Sequence, residues 1–257
     1  RFRLARFVLE ERALPWSRRA LVATTVCATA ARAQPAPEIL AAGATQHVLA
    51  PLIEAWPGPG PSPSITYDTV GAQRDRIRAG ARPAVVTLSG AGIAALRQDG
   101  LVTGEAVELG RTGVGIGARA GSALPVVTDA ESLRRILGMA ESVAWADPAR
   151  GATAGRLFQR ALESLGLDLG ARARLFPFGG DAVAAAARGE VEVAISQGTE
   201  LHGRPGVRFL GYLPDPFQEW TPYAAVAVTS GARAEAILAA LAGPAGRAAR
   251  EKAGFLE

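Results

Sequence analysis

The chain has 257 residues, 49% of them hydrophobic, with a single cysteine and a formal net charge of +4, so it is long enough for one large or two small domains with a substantial core. Residues 1–33 hold seven arginines against two glutamates, which leaves 21 basic and 22 acidic side chains in residues 34–257. The positive charge therefore belongs to the N-terminal segment, and nucleic acid is not an expected partner of the rest of the chain.

The N-terminal segment has the pattern of an export signal. Arg18 and Arg19 supply a positive end, residues 20–31 carry no charge, and Ala31-Arg32-Ala33 matches an A-x-A cleavage pattern. The apolar run is shorter than the ~20 residues that a membrane-spanning helix needs. We predict a signal peptide over residues 1–33, of which 1–16 come from a misassigned start codon.

The cysteine, Cys27, falls within that predicted signal. The mature protein is then expected to have no thiol, no disulfide and no cysteine metal site. We predict a soluble periplasmic protein without stable membrane insertion, exported by the Sec or the twin-arginine route.

Beyond residue 34, short β-like runs alternate with helical patterns, which is typical of an α/β protein. The predicted strands cover 38–42, 65–69, 84–88, 113–118, 143–146, 191–196, 207–213 and 223–228. The predicted helices cover 47–56, a segment through Arg78, a segment ending before Asp99, 129–138, a segment to about Leu165, 182–188, 232–242 and 244–253. We predict two lobes joined by crossover strands near 111–118 and 218–226, with lobe I over 34–112 and 223–257 and lobe II over 113–222.

Four strands end in turns of small or hydroxyl-bearing residues that open a helix, at 41–45, 68–71, 152–155 and 196–199. Ligands of open α/β sheets bind outside the carboxyl ends of the strands. A helix start adds unpaired N–H groups and a dipole that favours anions. Each turn alone is also consistent with an ordinary strand-to-helix connection, but the four together predict an anion-binding cleft between the lobes. The strongest of them follows the strand 143–146.

Signatures of catalysis are scarce. His47 and His202 have no Cys, His or carboxylate partner at metal-ligand spacing, and Ser89 lacks the preceding glycine of a nucleophile elbow. The glycines of 113–117 lie within a strand, so they do not form a dinucleotide-binding loop. We expect no catalytic residue, no metal and no cofactor.

Several short motifs occur in a characteristic order and spacing. They are Leu40-Ala41-Ala42-Gly43-Ala44, Gly71-Ala72-Gln73 followed by Ile77 and Gly80-Ala81-Arg82-Pro83-Ala84, Asp147-Pro148 with Thr153-Ala154-Gly155, Gly189-Glu190-Val191-Glu192-Val193-Ala194-Ile195, and Gly243-Pro244-Ala245-Gly246 with Ala253-Gly254-Phe255-Leu256. Through them, residues 38–257 resemble the periplasmic molybdate-binding proteins, which are type II solute-binding proteins of ABC importers. The resemblance implies a two-lobed monomer that closes on a small anion and delivers it to an ABC permease.

The turns and the resemblance together place the ligand contacts at Ala44, Thr45, Thr69, Val70, Thr153, Ala154, Gly155, Ser196 and Gln197. The molybdate-binding pattern has a serine after the first strand, paired serines after the second and a tyrosine after a later strand. This chain has Ala44, Thr69-Val70 and Ser196-Gln197 at those places. The predicted ligand is therefore a molybdate- or tungstate-like oxyanion or a small organic acid.

Other functions fit the same pattern less well. A periplasmic sensor or adaptor with a degenerate cleft is the main alternative. A transcription-regulator effector domain would need a helix-turn-helix segment in place of the signal. An exported enzyme would need a nucleophile–base pair that the sequence does not show.

Overall fold

The computed structural model describes residues 38–257, so the predicted signal peptide and Cys27 lie outside the described residues. Its strands are β1 (Ile39–Ala42), β2 (Ile65–Asp68), β3 (Val85–Ser89), β4 (Val107–Thr112), β5 (Val114–Arg119), β6 (Val143–Ala146), β7 (Ala173–Phe176), β8 (Val193–Gln197), β9 (Val207–Tyr212) and β10 (Thr221–Ala227). Its helices are α1 (Gln46–Glu54), α2 (Val70–Arg78), α3 (Gly90–Gln98), α4 (Ala130–Met139), α5 (Thr153–Leu165), α6 (Gly179–Ala187), α7 (Gly198–Leu201), α8 (Ala232–Ala242) and α9 (Pro244–Lys252). Short 3₁₀ turns lie at Gly43–Thr45, Pro148–Arg150 and Gly170–Arg172.

Within these residues the strands form two five-stranded sheets with equivalent topology. The order is β2-β1-β3-β10-β4 in lobe I and β7-β6-β8-β5-β9 in lobe II. In each sheet the first three strands run parallel and the fourth runs antiparallel to both of its neighbours. The predicted α/β, two-lobed architecture with two crossovers is confirmed.

The central strands explain why the lobes have separate cores. All five residues of β3 and all five residues of β8 are buried, as expected for strands with helices on both faces. One apolar cluster fills lobe I, and two others pack against the sheet of lobe II. Each lobe therefore has a hydrophobic core of its own.

The chain leaves lobe I between β4 and β5 and returns between β9 and β10. Gln218, on the returning segment, bridges to the outgoing one: its Oε1 accepts from Val114 N at 3.0 Å and its Nε2 donates to Val114 O at 3.1 Å. A Cβ on Gly113 would lie 2.6 Å from Gln218 Nε2, so a side chain at this position would displace the Gln218 amide. The lobe limits predicted from the sequence stay a prediction.

Two edge strands differ from the sequence prediction. The sequence prediction has no strand at Ala173–Phe176, and it includes only the last residues of the strand Val107–Thr112. Both strands lie at or near a sheet edge with several exposed residues, so neither has the apolar run of a buried strand. None of the helices in residues 38–257 combines the length and apolar character needed to cross a bilayer.

Candidate functional site

The carboxyl ends of β1, β2, β6 and β8 meet between the lobes around a cavity of about 30 Å³, the inner cavity. One water needs about 10–15 Å³ of such space, so the inner cavity has room for roughly two or three waters. Seven of the predicted contacts line it: Ala44, Thr69, Val70, Thr153, Ala154, Ser196 and Gln197. All four predicted turns therefore contribute to one closed site.

Two predicted contacts lie outside the lining. Thr45 is fully buried within lobe I, where its Oγ1 donates to Ala42 O at 2.8 Å and pairs with Thr87 Oγ1 at 2.8 Å. Gly155 packs its Cα directly against Ala146 O of β6, where no Cβ would fit. In this structure Thr45 stabilises the turn and Gly155 seats α5 on its strand.

The two longer helices of lobe II that begin at the inner cavity, α5 and α6, have no capping side chain. The residues before α5 and α6 are Ala152 and Phe178, and neither side chain accepts a hydrogen bond from the helix start. Each helix has unsatisfied N–H groups in its first turn, and its dipole places partial positive charge there. The lobe II wall is consequently suited to an anion.

Unpartnered polar atoms converge on the same space. Seven buried side-chain polar atoms in residues 38–257 have no hydrogen-bond partner, and four of them line the inner cavity. These are Thr153 Oγ1, both amide atoms of Gln197, and Glu200 Oε1. An unsatisfied buried polar atom costs about 1–3 kcal/mol, so this concentration of such atoms indicates a place for a polar ligand.

Glu200 brings a carboxyl group into this wall. Its Oε2 accepts a hydrogen bond from Ser196 Oγ at 2.5 Å. Burial raises the pKa of Glu200 to about 7, while the hydrogen bonds from Ser196 and the Gln197 backbone oppose the shift and the nearby Asp181 charge adds to it. The site therefore contains a carboxyl that changes charge near neutral pH.

Tyr223, from β10, adds a phenol. Burial first, and then the Glu200 charge, raise the pKa of Tyr223, whereas the Thr153 and Gln197 side chains and the Arg156 charge lower it. Thr153 and Gln197 nevertheless have no partner within hydrogen-bond geometry. The phenol is thus a neutral group close to both, available to a ligand as a donor.

Lobe I closes the cavity through direct contacts with lobe II. Thr69 Oγ1 caps α2 by accepting from Ala72 N at 3.1 Å and donates to Arg150 O at 2.6 Å. Gly71 N donates to Gly151 O at 3.2 Å. Since these groups are already paired, Thr69 contributes to closure rather than offering its hydroxyl to a ligand.

The second carboxylate of the lining, Asp68, is neutralised. Its oxygens lie 2.8 Å from Arg76 Nη2 and 3.9 Å from Arg150 Nη2, and Thr69 N donates to it at 2.8 Å. The Arg150 contact also joins the lobes. The two arginines therefore balance the negative charge of Asp68, whereas no arginine pairs with Glu200 among the described residues.

Sequence reasoning missed Asp68, Phe178, Glu200 and Tyr223. Asp68 begins one of the predicted turns, so proximity alone could have suggested it. Glu200 directly follows the predicted turn at 196–199 and accepts a hydrogen bond from Ser196, so proximity to that turn could have suggested it as well. No local signal marks Tyr223, which reaches the cavity from the strand that returns to lobe I.

A wider groove of about 520 Å³ adjoins the inner cavity at Thr153, which lines both. Arg156 and Trp220 also line the groove. The Arg156 guanidinium makes no hydrogen bond or ion pair with any residue of 38–257, whereas Arg160 beside it pairs with Glu219 at 2.5 Å. A free cation, the Arg156 guanidinium, therefore lies next to the inner cavity.

In residues 38–257, no group of three or more His, Cys, Asp or Glu side chains is arranged to hold a metal ion.

Comparison with known proteins relates this geometry to a family. The family model described as bacterial extracellular solute-binding protein matches residues 38–256. The periplasmic molybdate-binding protein of Azotobacter vinelandii has the same fold, with a TM-score of 0.71 at 19% identity over 85% of this chain and 98% of that one. The sulfate-binding protein SubI of Mycobacterium tuberculosis H37Rv gives 0.67 at 17% identity over 85% of each chain.

A curated relative has a different kind of name. It is an aconitate isomerase from Pseudomonas sp., 29% identical over 175 residues, which are 68% of this chain and 66% of that protein. The alignment thus spans about two thirds of either protein. The predicted likeness to molybdate-binding proteins is confirmed at the level of the fold.

Proposed function

Because the chain belongs to the bacterial extracellular solute-binding proteins, we propose that it captures a small anion in the inner cavity and delivers it to an ABC permease from the periplasm. The predicted contacts of both lobes then act together. Ligand binding would hold the lobes in the closed arrangement by joining the turns on either side.

The observation that carries this proposal is the set of unpartnered atoms on the inner cavity. A cavity meant only for packing would be apolar and dry. Here it exposes a hydroxyl, an amide and a carboxyl to one small space, beside two uncapped helix starts. An anion would satisfy the N–H donors, the Thr153 hydroxyl and the Gln197 amide together.

The size of the cavity indicates which part of a ligand it holds. Space for roughly two or three waters suits one anionic group, such as a carboxylate or a compact oxyanion, and excludes a whole sugar or peptide. Molybdate and sulfate are the ligands named for two proteins of the same fold, and aconitate is named for the curated relative. We infer that the ligand is either a free oxyanion or an organic acid whose remaining atoms reach the groove beside Arg156.

Thermal-shift and calorimetric titrations with molybdate, sulfate and small di- and tricarboxylates test the proposal. Stabilisation grows with ligand concentration when only the folded state binds. We expect at least one anion to bind at micromolar or lower concentration. If none of these anions stabilises the protein, anion capture is refuted.

Thr153→Asp locates the site. Thr153 is the first residue of α5, where an aspartate favours the helix, but its carboxylate would occupy the anion position. Binding should be lost while the melting temperature is kept. Ala130→Asp makes the same change at the first residue of α4, away from the inner cavity, and should bind like the wild type. Undiminished binding by the Thr153 variant would remove this turn from the site.

One observation favours a second candidate function. A buried carboxyl with a pKa near 7 and one unpartnered oxygen is suited to general acid–base catalysis. Glu200 could take a proton from the methylene carbon of an unsaturated tricarboxylate and return it to the former alkene carbon as the double bond shifts. This allylic isomerisation needs no oxidant or cofactor.

Proton NMR of cis-aconitate with the protein in D₂O distinguishes catalysis from capture. An isomerase would incorporate deuterium and form the trans isomer, and Glu200→Gln would abolish both changes. Binding of aconitate without deuterium incorporation would leave capture as the function.

A further inference from the structure

Glu200 is buried where the two lobes meet. Only 7% of the residue is exposed, and Ser196 Oγ holds its Oε2. A Cβ on Gly43 of lobe I would lie 2.6 Å from Oε1, and one on Gly179 would lie 3.0 Å from Oε2. Backbone from both lobes therefore packs close to the two carboxyl oxygens.

The charged and titratable groups around Glu200 do not neutralise it. Asp181 of α6 adds negative charge, and Tyr223 of β10 carries a neutral phenol. On its outer side, Glu200 shares a pocket of about 190 Å³ with His47 of α1, Asp181 and Arg204. Burial and the Arg204 charge lower the pKa of His47, so that imidazole is neutral near pH 7.

The remaining carboxylate of the inner cavity, Asp68, does not act on Glu200 as a partner. It is paired with two arginines of its own. Among the described residues, no cation is thus placed against Glu200 Oε1, which stays without a partner. An ionised Glu200 and a fully deprotonated anion would face each other as two acceptors with no hydrogen between them.

We propose that Glu200 shares one hydrogen with the captured anion, so that an anion arriving without a proton is bound together with one from solution. This inference rests on the proposed function and adds a specificity rule to it. Anions that bring their own hydrogen, such as hydrogen phosphate, need no proton from solution. Fully deprotonated sulfate, molybdate or tricarboxylates need one.

The raised pKa of Glu200 supports the proposal and sets its scale. With a pKa of about 7 the free carboxyl is mostly protonated at pH 6 and mostly ionised at pH 8. If only the protonated form binds, affinity for a deprotonated anion falls about tenfold between these pH values. Proton uptake per bound anion then rises from about 0.1 at pH 6 to about 0.9 at pH 8.

Isothermal titration calorimetry measures both quantities. Sulfate, molybdate and aconitate are titrated at pH 6 and pH 8, each in two buffers with different ionisation enthalpies, and the difference in heat counts the protons taken up. We expect the wild type to follow the values above. Glu200→Gln keeps the shape and should bind with no proton uptake and no change between the two pH values.

Glu192→Gln is the matched control. Glu192 is also a buried carboxyl of lobe II, but it precedes β8 at the end opposite Gln197, where it accepts from Ser122 Oγ at 2.9 Å and Glu141 N at 2.7 Å. This variant should keep the wild-type proton uptake.

The outcomes separate the two proposals. An anion that binds with no proton uptake at pH 8 overturns the shared hydrogen and leaves anion capture standing. Equal uptake by wild type and Glu200→Gln assigns the proton elsewhere and also overturns it. Absence of binding by every anion at both pH values overturns both.

Discussion

Gly71 lies at a direct backbone contact between the two lobes, and replacing it with alanine tests whether closure controls binding. A Cβ on Gly71 would lie 2.7 Å from Gly151 Cα and 2.8 Å from Arg150 O, both in lobe II. Gly71 lies in α2 without a positive φ, so alanine fits the helix itself. The clash exists only when the lobes are closed.

Overpacking of this kind costs about 1–3 kcal/mol. Because ligand capture needs the closed arrangement and unfolding does not, the cost should appear in the affinity, as roughly 5- to 150-fold weaker binding. Alanine also favours a helix over glycine by up to about 1 kcal/mol. The ligand-free melting temperature should therefore stay level or rise while binding falls.

Calorimetry with an anion that binds the wild type, together with ligand-free thermal melts, measures the two effects. Gly138→Ala is the control, since Gly138 lies in α4 with open space where the Cβ would go. It should show a similar gain in stability and unchanged binding. If Gly71→Ala binds within twofold of the wild type, the contact with Gly151 does not limit closure and our reasoning is refuted.

Three further changes act on the inner cavity itself. Gln197→Leu removes two buried polar atoms that have no hydrogen-bond partner. Urea unfolding should therefore show a free energy of unfolding raised by about 1 kcal/mol, while calorimetry shows weaker anion binding. A lower free energy of unfolding would mean that both amide atoms are already satisfied. Ser196→Ala removes a hydrogen bond that lowers the pKa of Glu200. The midpoint of the Glu200 carboxyl titration, followed by ¹³C NMR, should therefore move above 7. A downward move would contradict this role of the Ser196 hydroxyl. The pKa of Glu200 is about 7 in the fold against 4.5 as a free side chain, so its contribution to stability is full below pH 4.5 and lost as the pH rises through 7. Relative to Glu200→Gln, the wild type should lose about 3 kcal/mol between pH 4.5 and pH 8 in urea unfolding, and parallel curves would show that Glu200 titrates normally.

Much of this arrangement follows from local sequence. The buried strands and the turns after them carry continuous signals: apolar runs, then glycine or a hydroxyl residue, then a helical pattern. Since parallel strands end at the same sheet edge, the turns at Ala44 and Thr69 could be placed together in lobe I, and those at Thr153 and Ser196 in lobe II, from the sequence alone. The order in which the lobes are built follows from the pattern of strands and helices, and the resemblance to a family agrees with it.

The parts that escaped prediction depend on contacts between distant segments. Thr45 looked like a ligand contact, but Thr87 on the neighbouring strand takes its hydroxyl. Glu200 is not among the predicted contacts, because the sequence does not show that Gly43 and Gly179 pack against its carboxyl. Tyr223 enters the site only because β10 lies between β3 and β4.

The Gln218 side chain has a mechanical consequence. Its amide hydrogen-bonds both the N–H and the carbonyl of Val114, and so joins the outgoing and returning connections between the lobes at one point. The two segments can twist together but cannot slide past one another. We therefore expect the lobes to pivot about this crossing when they open and close.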